Sequence, residues 1–547
     1  MKKLLLIIAA ELLFFSGFSQ TNVIAHAKDL MQRGEYVKAK NLLNSYVLSK
    51  PQSEAYMFLG DCYYVLNKPD SAIWAYKKAL IRKMSPESLF KLGLTYFTEQ
   101  GDISQAKAYF KRAYALAPDS SKYLLYLGLA YQAENDIDSA YYFYKQVMSR
   151  DTTNPYPYYF LADYMYGLDS LNYAYAFINR AISKDSKNYN FYLLKASIEF
   201  KAKLYQNALE SAQQGLKLNP NSFKLNFLAA QCLYQLQKYD QAERILLELL
   251  KQQPRNLNLY FYLGWIYYYT AQYQKSIQMA KAALNISKTT VEFYQILAYD
   301  YIATSKYIEA QKAADKILMY DPQSLIAYTL KVEAQLYART PKNVLGSDKK
   351  FVKLNALNVG YIKDLIHNPK SKYYFPKLFK KFENSPWNLS LDEYLMVYLG
   401  YGLNHKQIQK TDYTAYARYY RMKQYNECIN QALAALKSYP LDPMPYLYIA
   451  LSYKNLGDLQ KFIKNLTVYH GILKSIVSSG NGMSFISAYL ISNKNDIYDV
   501  ANYSLKNLAN SVGFGIKSVL HNSEQYFILD IQYPNKIENK LYFLQVQ

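Results

Sequence analysis

The sequence is poor in the residues that build reaction centres. Its 547 positions hold 3 cysteines, 5 histidines and 3 tryptophans. The histidines, His26, His367, His405, His470 and His521, share no converging spacing, and there is no HExxH pattern and no Cys/His framework. Neither a metal nor another cofactor is expected, and no catalytic residue is assigned. Cys62 and Cys232 occupy one repeat position and Cys428 stands where other repeats have alanine, so all three read as small buried side chains rather than disulfide partners. The glycine-bearing stretch "SSGNGMS" lacks the lysine and spacing of a phosphate loop and reads as a turn. Asp392 and Glu393 read as a helix-start charge pair rather than a general acid and base. The sequence also lacks a membrane span: the apolar run Leu4 to Phe18 is interrupted by Glu11 and is shorter than the roughly 20 residues a span needs. With Lys2 and Lys3 before it and Gly17 and Ser19 after it, residues 1–19 read as an export signal. No cysteine follows to take a lipid anchor, so the mature chain is expected to be exported, periplasmic or secreted.

What the chain has in excess is tyrosine and positive charge. There are 62 tyrosines, and hydrophobic residues make up 51% of the chain. Tyrosine suits faces that are half buried and half wet. The formal charge is +22, and the excess is dispersed: residues 352–547 carry 22 Lys+Arg against 13 Asp+Glu. A dispersed excess makes a solvated basic surface with a preference for anionic partners. A nucleic-acid partner is not expected.

A repeat organises residues 21–338. Ala39, Ala72, Ala106, Ala140, Ala174, Ala208, Ala242, Ser276 and Ala310 follow one another at a first step of 33 residues and then steps of 34. A second small residue precedes each by 12 or 13 positions, among them Gly60, Gly93, Gly128, Ala162 and Gly264. Three residues further on stands a larger residue, tyrosine at 63, 96, 131, 267 and 301. Prolines such as Pro51, Pro118 and Pro220 close several units. The stretch "AYMFLGDCYYVLNKPDSAIWAYKKAL" shows the pattern, and it resembles the tetratricopeptide repeat, with Leu59, Gly60, Tyr63, Ala72, Tyr76 and Ala79 at the family's positions. The resemblance implies a mainly α fold: a right-handed superhelical solenoid of about nine helix pairs whose first helices line a concave groove. The segment "LIAYTLKVEAQLYA" has lost the register and is expected to be the terminating helix, before a linker over 339–351.

Rotation on the first helices sorts core from groove. From Gly264, the residues Leu263, Gly264 and Tyr267 face the core, while Phe261, Trp265, Tyr268 and Tyr269 form a stripe turned away from it. Corresponding positions put Tyr64, Phe97, Tyr156, Tyr159, Tyr166, Tyr234 and Tyr299 in the groove, with Phe90, Phe200, Phe227 and Phe261 either there or packed between units. Polar residues among them are few: Asp61, Asp163, Ser197 and Gln231. An aromatic groove holds an extended protein or peptide segment by covering apolar faces while phenolic hydroxyls take hydrogen bonds. The same rings on a basic surface would also suit an acidic glycan. The asparagine of the family's chaperone-tail clamp is missing from the matched positions, which disfavours that use.

The remainder, 352–547, is similar to a bacterial family described as domain of unknown function 4919, through "SKYYFPKLFKKFENSPWNLSLDEYLMVYLGYGL", "ILKSIVSSGNGMSFISAYLI" and "YFILDIQYPNKIENKLYFLQV". Asn481 stands where the family's turn carries aspartate, and Asp496-Ile497-Tyr498 replaces an Asp-Glu-Tyr. The resemblance implies export and no particular activity; an enzyme in this domain ranks behind a binding role. A helix pair in repeat style is expected over about 413–465, carried by Cys428, Ala435, Pro440, Ala450 and Tyr453. Alternation at Phe527, Leu529 and Ile531 and at Leu541 and Phe543 predicts an antiparallel hairpin over about 525–546, making the C-terminal domain α+β with a small antiparallel sheet.

Overall fold

Chain reversal inside each helix pair rests on one backbone position in the left-handed region. Its occupants are Gly34, Asn67, Gly101, Asn135, Asp169, Lys203, Gln237, Ala271 and Ser305, all with positive φ. At Asn67 the turn closes as a Schellman motif: the Lys68 N–H donates to the Tyr63 carbonyl at 2.9 Å and the Asn67 N–H to the Tyr64 carbonyl at 3.0 Å. The same pair of bonds recurs at Ala271 and Ser305. Only two of these nine positions are glycine, so the turn is imposed by the packing of the helices it joins and carries a local conformational cost.

The computed structural model describes residues 20–341, 344, 359–405, 413–479, 489–491, 496–497, 499–501, 513–521, 524–532 and 538–545. The expected signal over 1–19, nearly all of the expected linker and the Gly480–Ser484 part of the glycine-bearing turn lie outside these residues. The chain divides into two compact units, Met1–Ile245 and Leu246–Gln547. Among the described residues no helix is long and apolar enough to cross a membrane.

In the first unit the helices alternate as pairs of the tetratricopeptide type: Gln20–Gln32 with Tyr36–Ser49, Ser53–Val65 with Pro69–Arg82, Pro86–Thr95 with Ile103–Leu116, Ser121–Ala133 with Ile137–Arg150, Tyr156–Gly167 with Leu171–Lys184, and Tyr189–Lys201 with Tyr205–Leu218. The small positions explain the close approach within a pair. A Cβ on Gly60 would lie 2.5 Å from the Tyr76 ring, on Gly93 2.8 Å from Phe110, and on Gly128 2.6 Å from Tyr144. Where the first helix carries alanine, as at Ala162 and Ala196, the facing residues Ile178 and Ala212 are smaller. In these five pairs glycine goes with a ring and alanine with a smaller residue at the equivalent position, whereas at Gly264, where that position is Ala280, an added Cβ would meet Ile296 of the next pair at 3.1 Å. Cys62 and Cys232, and Cys428 in the other unit, are buried and unpaired.

Phe223–Gln235 and Tyr239–Gln252 form the next pair, and the second unit, which starts within the latter helix, carries Leu257–Tyr269 and Tyr273–Ile286, then Val291–Ala303 and Tyr307–Tyr320, and continues with Leu325–Arg339. After it come Val359–His367, Phe375–Asn384 and Leu391–Asn404, the last started by a capping box in which Ser390 and Glu393 bond each other's backbone N–H. Thr414–Arg421 and Tyr425–Ser438 form a pair, as do Pro443–Asn455 and Leu459–Ser478. Their turns reuse the left-handed position at Lys423 and Gly457, again 34 residues apart. The stretch with Cys428 and Ala450 is thus the second helix of one pair followed by the first helix of the next. Leu459–Ser478 packs on Leu325–Arg339, with Phe462 edge-on to Tyr328 at 4.9 Å and the Lys474 ammonium 3.2 Å from the Glu333 carboxylate.

The chain ends in a sheet of order β1-β4-β3-β2, with β1 Tyr489–Ile491, β2 Gly513–His521, β3 Glu524–Gln532 and β4 Glu538–Gln545. β1 runs parallel to β4, and the other neighbours are antiparallel. In the β3–β4 register Phe527 stands opposite Phe543 and Leu529 opposite Leu541.

Candidate functional site

First helices of successive pairs touch one another: Gln20–Gln32 with Ser53–Val65, and Tyr156–Gly167 with Tyr189–Lys201, in the first unit; Leu257–Tyr269 with Val291–Ala303, and Val291–Ala303 with Leu325–Arg339, in the second. Side chains that point away from the second helices therefore gather on one face.

The densest gathering is in the second unit. The Trp265 indole is 5.6 Å from the Tyr268 ring, 5.8 Å from Tyr269 and 5.6 Å from Tyr299, centroid to centroid. Tyr268 also lies 5.7 Å from Tyr299 and 5.8 Å from Tyr273. Within this cluster the rings are layered. Tyr269 is 54% exposed and stacks on Trp265 at an interplanar angle of 28°. Tyr268 lies beneath, and its hydroxyl is held above the ordinary range by burial first and then by Tyr299. Burial also raises the Tyr299 hydroxyl, with the Glu333 carboxylate adding to the rise. Tyr267, the neighbour in sequence, is buried in the pair's core.

Two charges border these rings that the repeat pattern does not reveal. Glu333 sits on Leu325–Arg339 and Lys474 on Leu459–Ser478, and Lys474 also lies over the Tyr337 ring at 5.6 Å. His470, one turn before Lys474, is buried, and desolvation lowers its imidazole to about 4. These residues are close to Tyr268 and Tyr299 only through the tertiary packing of Leu459–Ser478, which leaves no periodic trace in sequence.

In the first unit the expected groove residues are more scattered. Tyr156 is 43% exposed, and with Tyr159 it packs around Phe191, Tyr159 at 5.2 Å. Tyr166 is half-buried under the Lys201 ammonium, 5.0 Å from its ring. The Tyr64 hydroxyl is 3.0 Å from the Thr98 hydroxyl. Tyr234, also half-buried, meets Tyr239 at 6.0 Å. Phe90 is buried among Phe110, Tyr123 and Tyr126 and is a packing residue. Asp61 is engaged within the fold: it accepts from the Tyr76 hydroxyl at 2.7 Å and pairs with Lys91 at 2.6 Å.

Two-helix units stacked at a 34-residue step define an α-helical repeat protein. Tetratricopeptide repeat profiles match residues 24–88, 87–120 and 199–263, and the profile of a domain of unknown function, DUF4919, matches residues 360–543. The chain thus carries tetratricopeptide repeats in its N-terminal region and a C-terminal DUF4919 domain. No curated protein matches it. Among solved structures it is similar to a tetratricopeptide repeat protein from Parabacteroides merdae, at 17% identity over 46% of this chain and 98% of that one, with a TM-score of 0.33. It is also similar to Pseudomonas aeruginosa pilF, at 18% identity over 39% and 96%, with a TM-score of 0.35. A third is YrrB, described as a repeat protein with an unusual peptide-binding site, at 15% identity over 34% and 95%, with a TM-score of 0.31.

Proposed function

We propose that the protein is an exported, non-enzymatic scaffold that holds an extended protein or peptide segment on the aromatic face of its repeats. The observation that carries this reading is the layered cluster of Trp265, Tyr268, Tyr269 and Tyr299, in which an exposed ring is backed by half-buried ones. Backing fixes the outer rings in place, so a ligand that covers them loses little additional side-chain entropy on their account. Rings with a polar tip accept apolar side chains on their faces and backbone groups at their hydroxyls. Glu333 and Lys474 at the border would select the charge pattern of the segment.

Peptides displayed on phage and selected on the full chain provide the test. Enriched sequences are expected to lose at least about tenfold in affinity on Trp265→Ala combined with Tyr269→Ala, the scale for removing two aromatic anchors. Equal affinity for the wild type and the double variant would remove the aromatic face from the proposal. Phe90→Leu, a change in the packed interior, should leave the affinity as it is.

A further inference from the structure

The first unit carries a second surface on the other helix of each pair. Its charge is sorted between the two kinds of helix. In the first five pairs the second helices hold twelve lysines and arginines against two carboxylates, whereas the first helices hold three against five. The cations also keep the repeat register. Lys77, Lys111 and Lys145 occupy one repeat position on three successive second helices, and Lys78, Arg112 and Arg180 share the next. All six are exposed, and none has a carboxylate partner among the described residues. Because each pair repeats the placement of the last, equivalent residues line up from helix to helix into rows.

Apolar and amphipathic side chains stand among these rows. Trp74 and Tyr142 lie three residues before Lys77 and Lys145, as neighbours on the same helix face, and are 45% and 60% exposed; Ile81, one turn after Lys77, is 73% exposed. We infer that this face of the first unit docks on an anionic phospholipid surface, the lysines and arginines meeting headgroup phosphates while Trp74, Tyr142 and Ile81 enter the interfacial layer. Charge complementarity gives the sign of the partner. The exposed rings give its form: tryptophan and tyrosine beside lysine and arginine is the composition of side chains that settle at headgroup depth. A soluble polyanion would use the cations and leave Ile81 and the rings in water. Cations one turn apart on a single helix, such as Lys78 with Arg82 and Arg180 with Lys184, also make the patch broad rather than a single line.

The experiment is sedimentation of the full chain with vesicles of phosphatidylcholine alone or mixed with phosphatidylglycerol, beside titration with soluble polyphosphate. Binding to the anionic vesicles alone is expected, and Lys77→Gln, Lys111→Gln and Lys145→Gln together should weaken it on the order of a hundredfold at low salt, each cation near the surface contributing about fivefold. A far-ultraviolet melt of the triple variant that matches the wild type separates this loss from unfolding. In a Trp265→Phe, Trp387→Phe background, Trp74 is the remaining indole, and its emission should shift to the blue on anionic vesicles. Trp265→Ala with Tyr269→Ala should leave vesicle binding intact, since that pair belongs to the other unit. Equal binding to both vesicle types, binding unchanged in the triple variant, or binding to polyphosphate with none to vesicles would each overturn the inference.

Discussion

Asp300 is the residue whose chemistry is least at ease with its place. It lies in the middle of Val291–Ala303, fully buried, and among the described residues neither of its carboxylate oxygens has a hydrogen-bond partner. Desolvation raises its titration to about 7, and the neighbouring Ser276, whose hydroxyl already donates to the Gly264 carbonyl at 2.9 Å, offsets this only in part. In the unfolded chain an aspartate titrates near 3.9. Between those values the folded state holds a proton that the unfolded state has lost, so the contribution to stability is full below about pH 4 and disappears as pH rises through 7. Asp300→Asn removes the titration. Relative to wild type it should gain up to about 4 kcal/mol between pH 4 and pH 8, read from urea midpoints at a series of pH values. A stability difference that stays constant across that range would show that Asp300 is ionised in the fold. His470 acts in the opposite sense: held neutral by burial, it contributes stability above about pH 6.5 that is lost as pH falls toward 4. The two slopes oppose each other between pH 4 and pH 6.5, so removing Asp300 should also unmask a steeper acid loss.

At the scale of the element, fit within a helix pair is set by which of two facing positions is small. Gly93 faces Phe110, and a Cβ there would meet the ring at 2.8 Å and the Ala106 carbonyl oxygen at 3.2 Å. Gly93→Ala is expected to cost about 1–3 kcal/mol by overpacking, and Phe110→Leu in the same chain should recover part of that cost although Phe110→Leu alone destabilises. A double-mutant cycle with no coupling would show that the pair absorbs the methyl elsewhere. This complementarity is the part of the fold that was legible in sequence, because small residues in a fixed register leave a pattern independent of what faces them. The turns were less legible, since Lys203, Gln237, Ala271 and Ser305 adopt a conformation that their residue types do not advertise. Near the C-terminus, Tyr416 and Phe462 stand at positions that are small elsewhere, so only the middle of the two helix pairs there kept a readable register. Of the aromatic face, rotation grouped Trp265, Tyr268 and Tyr299, whose ring centroids lie 5.6 to 5.7 Å from one another, whereas the layering of Tyr269 over Trp265 and the arrival of Glu333 and Lys474 depend on rotamers and tertiary contacts that periodicity does not carry.

For the whole molecule, the repeat plan implies that stability is distributed rather than pooled. A stack of two-helix units behaves as a sum of unit terms and nearest-neighbour terms, and a chain of this length is not expected to unfold in one step. Gly93 lies in the first compact unit and Asp300 in the second. Native-state hydrogen exchange read by mass spectrometry is therefore expected to report the two substitutions in different places. Gly93→Ala should speed exchange in Pro86–Thr95 and Ile103–Leu116 and in the helices adjoining them, while Val291–Ala303 and Leu325–Arg339 keep wild-type rates. Asp300→Asn at pH 8 should slow exchange in Val291–Ala303 and in Leu325–Arg339, which packs on it, and leave the first unit as it was. If either substitution changed protection uniformly along the chain, the molecule would be one cooperative body, and binding at the aromatic face could then be coupled to the basic surface of the first unit through global stability. If the changes stay local, a segment held at Trp265 and Tyr269 would stabilise its own helices alone, and the two surfaces would be free to hold their partners independently.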